Sequence, residues 1–591
     1  MLRNYLRQLA ALLGLFAMLA SQNTGLAQQT SEAQVPPPTI RVTTHMVLVD
    51  MVATDKEGKA VPGLKPEDFT LEENGKKQKI SVFVTPEQNQ PPAPGPALPS
   101  GIYSNRAQYR SPGSPITVLL LDACNTQFKD QAYARLQMLK FVREQYKPGQ
   151  RMAVLTLTDS LHMLQDFTTD PQLLYNALES YSPQQRPFTS SSAATTAPVG
   201  AGVPTPNSTV TGLDAGTRSA TAIDAGSLGN PLHGGAAALS VAPFFMRNAL
   251  QDFAQAQTGY DLERRTGITF EALDELARGL GGLPGRKAVI WVTGDLPFTL
   301  NPENRSVTDT ELSETLPSFD TRRVGEHSAG DYAATARNAG ADQIREADAR
   351  LSAAQIAIYP VDARGLSINL NQDAQEVMRQ MASDTGGRAY VNQNEIKQGV
   401  ERALDDTSAT YTLGYYTSNR KWDGNYRSIK VKVNRQGLNL QYRRGYFALD
   451  PTQVKGYKPA QEVAAALGNA VPATQVAFSA RVLPSPNAKG KVGVDFLVDV
   501  RTLTAEDASD GKKMNVLFYV TGFSQNGKLL SSESQKVDQT FNSNVYQQIL
   551  QHGMMLHMDL TPPAGATQLR LAVQDGRTGL VGTIDAPLKM E

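Results

Sequence analysis

One run of seven residues, Ile116-Thr-Val-Leu-Leu-Leu-Asp122, constrains the fold of this chain more than any other. Six apolar or β-branched residues in succession are typical of a strand that is buried on both faces. The run ends at a carboxylate, small polar residues follow it, and a helical pattern begins at Lys129. Because ligands bind to open α/β sheets beyond the carboxyl ends of the strands, we expect a functional site around Asp122.

Strand and helix patterns alternate on the C-terminal side of this run. Strand patterns occur at 151–157, 286–292 and 355–361, and helical patterns separate them. A strand at 161–167 follows so closely that we expect it to be the hairpin partner of the strand before it. This alternation predicts an α/β domain at 114–408 with a doubly wound, mainly parallel sheet of the Rossmann-like kind.

The segments that flank this domain have different patterns, because their apolar residues recur with a period of two or give way to Pro, Gly and Ser. The predicted divisions are an N-terminal β segment at 38–86, a linker at 87–113, a disordered insertion at 182–247, a β extension at 409–449 that pairs with 38–86, and a C-terminal immunoglobulin-like β-sandwich at 471–591. A glycine-rich stretch, 279–285, precedes a strand and is interpreted as a helix end and turn.

The N-terminal segment, 1–27, resembles a secretory signal. Arg3 and Arg7 form a basic region, an apolar run extends from Leu9 to Ala20, and Gly25-Leu-Ala27 supplies small residues for cleavage. The apolar run of about 12 residues is shorter than the roughly 20 residues that span a bilayer. We therefore expect an exported protein, periplasmic or extracellular, with no transmembrane segment in the mature chain; an uncleaved membrane anchor is the alternative.

Charge and cysteine content exclude some functions. Lys and Arg together number 57, as do Asp and Glu, so no net charge draws the chain to nucleic acid. Cys124 is the sole cysteine, which rules out an internal disulfide. A thiolate nucleophile needs a cationic or histidine partner, and the residues next to Cys124 supply a carboxylate instead. A hydrolase that uses Cys124 or Asp122 is therefore disfavoured.

Seven short motifs occur in an order that resembles the VWFA-related domain proteins of the acidobacterial type, which contain a von Willebrand factor A domain. The motifs are Val61–Phe69 with Asn74-Gly75 before Val82-Phe83, Leu120–Thr126, Leu164–Thr168, Leu283–Lys287, Tyr359–Gly365, Gly386–Gly387 and Tyr442–Tyr446. The resemblance covers about 40–448 and leaves the C-terminal module outside.

This resemblance implies binding through a metal-ion-dependent adhesion site, in which Mg²⁺ is held by an Asp-x-Ser-x-Ser loop and a ligand carboxylate completes the coordination. Asp122 matches the first Asp of that pattern. Cys124 replaces the first Ser, and a soft thiol is a poor ligand for a hard ion. Thr126 keeps the second hydroxyl, and Asn125 can offer an amide oxygen.

Two further ligands belong to the implied site. The lone threonine corresponds to Thr266 or Thr269, which precede the helical pattern at 270–280. The second acidic residue is expected where Gly294 stands, and Asp295 follows one position later. The candidate metal ligands are therefore Asp122, Asn125, Thr126, Thr266 and Asp295. The alternative role for Asp122 is to cap the following helix and anchor its loop.

The sequence thus predicts an exported, non-enzymatic interaction or adhesion protein that binds a protein or cell-envelope ligand through a degenerate adhesion site. The alternative is a metal-free structural component of a periplasmic or cell-envelope assembly.

Overall fold

A computed structural model describes residues 46–588, except 58, 89–92, 111–115, 148, 185–259, 297–342, 344–345, 366–371, 393–395, 409, 420, 449, 451–456 and 485–489. The predicted signal peptide and residues 185–247 of the predicted insertion lie outside the described residues. Among the described helices, none is both long and apolar enough to cross a membrane.

Strands make up most of the regular structure. In chain order they are β1 Met46–Thr54, β2 Phe69–Glu73, β3 Lys76–Gln78, β4 Ile80–Val84, β5 Ile102–Ser104, β6 Ile116–Asp122, β7 Arg151–Leu157, β8 Leu161–Thr168, β9 Lys287–Thr293, β10 Ile356–Asp362, β11 Thr410–Tyr416, β12 Tyr426–Val433, β13 Asn439–Tyr442, β14 Gly445–Phe447, β15 Phe478–Pro484, β16 Val492–Val498, β17 Glu506–Ala508, β18 Gly511–Ser524, β19 Leu529–Phe541, β20 Met554–Leu560, β21 Ala566–Asp575 and β22 Val581–Pro587.

Helices lie mainly in the middle of the chain. They are α1 Phe128–Glu144, α2 Pro171–Ser180, α3 260–280, α4 346–353, α5 Gln372–Thr385, α6 Ile396–Ser408, α7 Pro459–Gly468 and α8 Ser543–His552. Single helical turns occur at Pro66–Asp68, Ala107–Arg110 and Val500–Thr502.

The predicted fold class, an α/β protein with a doubly wound, mainly parallel sheet, is wrong. The described residues contain more strand than helix, and the sheet with parallel strands is mixed. Its order is β10-β9-β6-β7-β8, with β8 antiparallel to β7. Every other sheet formed by the described strands is antiparallel. The error arose because strands and helices alternate only in the part of the chain that forms the mixed sheet. Most strands of the protein come before or after that part and form antiparallel sheets.

Strand β6 lies at the centre of the mixed sheet, between β9 and β7, and all seven of its residues are buried. One hydrophobic core contains residues of α3, α4 and α5, and a second core contains residues of α1, α2 and α6. Side chains alternate along the strand, so Leu120 packs in the first core and Leu119 and Leu121 pack in the second. Burial from both sides explains the unbroken apolar run in the sequence.

The Asn74-Gly75 pair predicts a hairpin turn between strands at 69–71 and 80–83. Asn74 and Gly75, both with positive φ, do form a turn, but it connects β2 to its antiparallel neighbour β3, and β4 pairs with β11 instead. The pair Asp170-Pro171 predicts a helix start, with Asp170 as the N-cap and Pro171 as the first helical residue. Helix α2 begins there, and Asp170 Oδ1 accepts a hydrogen bond from Gln172 N at 2.8 Å.

The strands before and after the mixed sheet hydrogen-bond to one another. Strand β1 pairs with β11 and β13, and β2 pairs with β12, so segments from opposite sides of the mixed sheet in sequence share two antiparallel sheets. Glu73 is buried in their common interior and accepts hydrogen bonds from the hydroxyl groups of Tyr415, Thr417 and Tyr446. These contacts fix the two β segments relative to each other.

The C-terminal strands form two antiparallel sheets around one core. Strand β5 joins one of these sheets by pairing with β15, although it falls in the predicted linker. So short a strand cannot show a period, and no pattern in the sequence indicates it.

The glycine-rich end of α3 contacts Thr474, which lies in the segment before the first strand of the C-terminal sheets. Thr474 Oγ1 donates to Gly279 O at 2.8 Å and accepts from Gly282 N at 3.0 Å. A Cβ atom on Gly282 would lie 1.7 Å from Thr474 O, so only glycine permits this approach. The stretch therefore ends a helix, as predicted, and also forms a contact between modules.

Asp348, in α4, gives the fold an unusual pH dependence. It is 8% exposed, and burial together with the nearby Asp384 raises its pKa from the ordinary value near 4 to about 7. The protonated form is therefore favoured by folding. The protonated Asp348 side chain stabilises the folded state fully below about pH 4, and this stabilisation is lost as the pH rises from about 4 to about 7.

We expect Asp348→Asn to remove this loss, because an amide has no proton to release. At pH 8 the variant should be more stable than the wild type by on the order of 3 kcal/mol, and the difference should shrink towards pH 4. Urea denaturation at several pH values measures it. Asp507→Asn, at an exposed site, serves as the control. A stability difference that does not change with pH would contradict the assignment.

Candidate functional site

The candidate site lies where β6 and β9 end. These strands are parallel neighbours, with Leu121 opposite Val292, so Asp122 and Thr293 reach the same edge of the sheet. The loop after β6 is held against the next strand, because Ala123 N and Cys124 N both donate to Leu157 O, at 2.8 and 2.9 Å. The residues that the sequence singled out around Asp122 therefore occupy an enclosed corner between three strands.

Asp122 is 2% exposed, and both oxygens of its carboxylate accept hydrogen bonds. Oδ1 accepts from Asn125 N at 2.8 Å. Oδ2 accepts from Asn125 Nδ2 at 3.0 Å, Trp291 Nε1 at 3.0 Å and Thr293 Oγ1 at 2.8 Å. Burial raises the pKa of Asp122, while these four donors act in the opposite direction by stabilising the charged form. The carboxylate is thus hydrogen-bonded to the protein through both of its oxygens.

Asn125 links Asp122 to helix α3. Its Nδ2 atom also donates to Thr269 Oγ1 at 3.1 Å, and Thr269 in turn donates to Arg265 O at 2.8 Å. The guanidinium of Arg265 lies 3.5 Å from Asn125 Oδ1. One amide group therefore connects the strand end, the loop and the helix.

Gln131, in α1, is hydrogen-bonded to the backbone of the loop that follows β6. Its Nε2 atom donates to Thr126 O at 2.8 Å and to Ala123 O at 3.3 Å, and its Oε1 accepts from the hydroxyl of Tyr181 at 2.9 Å. Gln131 is buried among apolar neighbours on its helix. In the sequence, a polar residue on the apolar face of a predicted helix is the signal that could have identified Gln131.

The five predicted ligand residues do not all meet. Asp122, Asn125 and Thr126 lie together, and Thr126 Oγ1 accepts from Gly294 N at 2.8 Å. Asp295 Oδ1 accepts from Leu296 N at 2.8 Å, so this carboxylate caps its own loop.

The two candidate threonines have different surroundings. Thr266 donates to Leu262 O in its own helix at 2.8 Å, whereas Thr269 is hydrogen-bonded to Asn125. Sequence reasoning missed Trp291, Thr293 and Arg265, because their contact with the loop depends on folding that brings distant parts of the chain together.

A second carboxylate at this edge is also paired within the protein. Asp362, at the end of β10, is buried and accepts hydrogen bonds from Arg364 Nε at 2.9 Å and Arg364 Nη2 at 2.8 Å. This bond to Asp362 raises the pKa of Arg364. The ends of β6 and β10, which lie on either side of β9, therefore carry carboxylates that are stabilised within the protein, one by neutral donors and one by a guanidinium.

The residues of this corner do not fit the Mg²⁺ ion that the resemblance implies. Such an ion requires hard oxygen ligands in near-octahedral geometry. Here both oxygens of Asp122 already accept hydrogen bonds, Cys124 presents a thiol, and Gly294 occupies the place of the second acidic residue. Within the described part of the chain, no group of three or more His, Cys, Asp or Glu side chains could hold a metal ion.

Comparison with known proteins gives weak similarities. No protein-family model matches the chain, and none of the curated proteins matches it.

Three solved structures illustrate the similarity. An aerotolerance-related membrane protein from Bacteroides fragilis NCTC 9343 is 11% identical, with 50% of this chain and 98% of that chain covered and a TM-score of 0.20. A von Willebrand factor type A protein from Catenulispora acidiphila is 9% identical, with 68% and 80% covered and a TM-score of 0.22. The three N-terminal domains of the type V pili tip protein Mfa5 from Porphyromonas gingivalis are 9% identical, with 93% and 78% covered and a TM-score of 0.22. Similarities at this level carry no argument about function.

We expect Asp122→Asn to destabilise the protein, because one carboxylate oxygen is replaced by an NH₂ group that faces buried donors. The expected loss is about 2–4 kcal/mol in the free energy of unfolding, measured by urea denaturation. Asp159→Asn is the matched control near the end of β7, where the side chain is 67% exposed. The control should cost less than about 0.5 kcal/mol. Equal stability of the two variants would show that the network around Asp122 is unimportant.

Proposed function

We propose that this protein is a non-enzymatic protein-interaction protein that serves in adhesion or as a component of a cell-envelope assembly. The observation that carries the proposal is the closure of the corner around Asp122. A hydrolase would need a nucleophile or a general base that substrate can reach. The carboxylate and the thiol at this corner are both buried, at 2% and 0% exposure.

Contacts between the modules support a role in which a rigid body presents its surface to a partner. Arg286 is buried between the mixed sheet and the N-terminal β segment. Its Nη1 atom donates to Asp50 O at 3.3 Å, and its Nη2 atom donates to Tyr359 Oη at 2.9 Å and Gly386 O at 2.6 Å. A charged side chain bonded in this way ties three segments together and resists their separation.

A second link joins the mixed sheet to the C-terminal sheets. Glu462, in α7, accepts from Arg278 Nη1 and from Arg350 Nη2, each at 3.1 Å, and Arg350 Nη1 also reaches Asp274 at 2.9 Å. These four side chains are largely shielded from solvent, so screening by salt weakens the network less than it weakens exposed ion pairs. Rigid connection of several modules suits adhesion and structural proteins, whose partners bind an extended surface.

The proposed setting is outside the cytoplasm, in the periplasm, at the cell surface or in the medium, as the signal-like N-terminus suggests. The proposed partner is a protein or a cell-envelope ligand. With 57 basic and 57 acidic residues, the chain has no net charge to favour nucleic acid.

Reactivity of Cys124 separates this proposal from a hydrolase. Because the thiol is buried in a hydrophobic core, Ellman's reagent should modify the native protein at least about 100-fold more slowly than the urea-unfolded protein. Cys124→Ala should abolish the remaining signal. Rapid modification of the folded protein would instead support a nucleophilic thiol.

Binding itself is tested with the full chain immobilised on a sensor surface and a detergent-solubilised envelope fraction of the producing cell as the probe. Saturable binding that is lost when the immobilised chain is heat-denatured would support the proposal. A lack of saturable binding would contradict it.

A further inference from the structure

We propose that the side-chain amide of Asn125 occupies the place that a divalent cation has in the adhesion site this loop resembles. The amide joins Asp122 to Thr269 and makes the carboxyl edge of the central sheet metal-free. This inference concerns the site alone and holds for any partner.

The side-chain nitrogen of Asn125 lies within hydrogen-bonding distance of two oxygen acceptors. Asn125 Nδ2 lies 3.0 Å from Asp122 Oδ2 and 3.1 Å from Thr269 Oγ1, and one NH₂ group has two hydrogens for these two acceptors. Thr269 gives its own proton to Arg265 O, which leaves a lone pair on Oγ1 for the amide. A neutral donor group therefore makes the two contacts that a cation would make with the same oxygens.

The charges around Asn125 favour a neutral amide over a divalent cation. Among the described residues, the carboxylate of Asp122 is hydrogen-bonded to Asn125, and the guanidinium of Arg265 lies 3.5 Å from Asn125 Oδ1. These two charges have opposite sign and equal size. A divalent cation would add two positive charges next to Arg265 in a buried site, where repulsion is weakly screened. The amide avoids this cost.

Gly294 stands where the resemblance expects the second acidic residue. Gly294 donates from its backbone N to Thr126 Oγ1 at 2.8 Å, which uses the hydroxyl that would otherwise face an ion. A Cβ atom on Gly294 would lie 3.4 Å from Thr126 Cγ2, at the limit of ordinary contact. Thr126 is thus bonded to the protein on the side where the resemblance expects a carboxylate.

Asn125→Asp tests the proposal, because it keeps the shape of the side chain and replaces the donor Nδ2 with an oxygen. Two carboxylates then face each other beside Thr269, and at a pH where both are ionised only a cation can bridge them. In EDTA the melting temperature should fall by about 5–10 °C relative to the wild type, and millimolar Mn²⁺ or Mg²⁺ should restore most of it. The wild type should shift by less than about 1 °C with either ion.

Asn176→Asp, at an exposed position in α2, is the matched control and should show no response to metal. If Asn125→Asp does not fold, electron paramagnetic resonance of Mn²⁺ mixed with the wild-type protein measures metal binding directly. No Mn²⁺ should be bound at about 1 mM. Bound Mn²⁺ that disappears in Asp122→Asn would overturn the proposal, as would a folded Asn125→Asp variant that ignores metal.

Discussion

The buried carboxylate of Asp122 is the interaction on which the carboxyl edge of the central sheet depends. A carboxylate that is 2% exposed is costly unless donors replace the water that it has lost. Four donors do so here: the backbone and side chain of Asn125, Trp291 Nε1 and Thr293 Oγ1. Since these donors come from the loop after β6 and from β9, satisfying one charge fixes the position of the loop relative to the sheet.

The same network decides what the loop can do. The loop backbone is held by Leu157 O on one side and by Gln131 on the other. A loop held at so many points keeps one conformation, which suits a surface that a partner recognises by shape. It also engages both oxygens of Asp122 with protein donors, so the resemblance to an adhesion site extends to sequence order but not to donor chemistry.

Local features of the site and fold were predictable from sequence, because their causes lie within a few residues. The position of Asp122 at a strand end, the Asn74-Gly75 turn and the Asp170 cap are of this kind. Trp291 and Thr293 could not be found in the same way. They belong to an apolar run that looks like any buried strand, and their role depends on Asp122, a partner much earlier in the chain.

Long-range packing explains the other failures. The predicted α/β class was wrong because the spacing of apolar residues identifies individual strands but does not show which strands join in one sheet. Strand β5 was missed because pairing with β15, a strand of the C-terminal module, and not local propensity, makes Ile102–Ser104 extended. Gly282 was interpreted as part of a turn, and its close approach to Thr474 is visible only in the folded chain.

A crystal structure of the wild-type protein grown with Mn²⁺ tests the central claim most directly. The account predicts no anomalous density between Asp122 and Thr269, with the Asn125 amide in hydrogen-bonding contact with both. An anomalous peak within about 2.3 Å of an Asp122 oxygen, with Asn125 turned away, would contradict it.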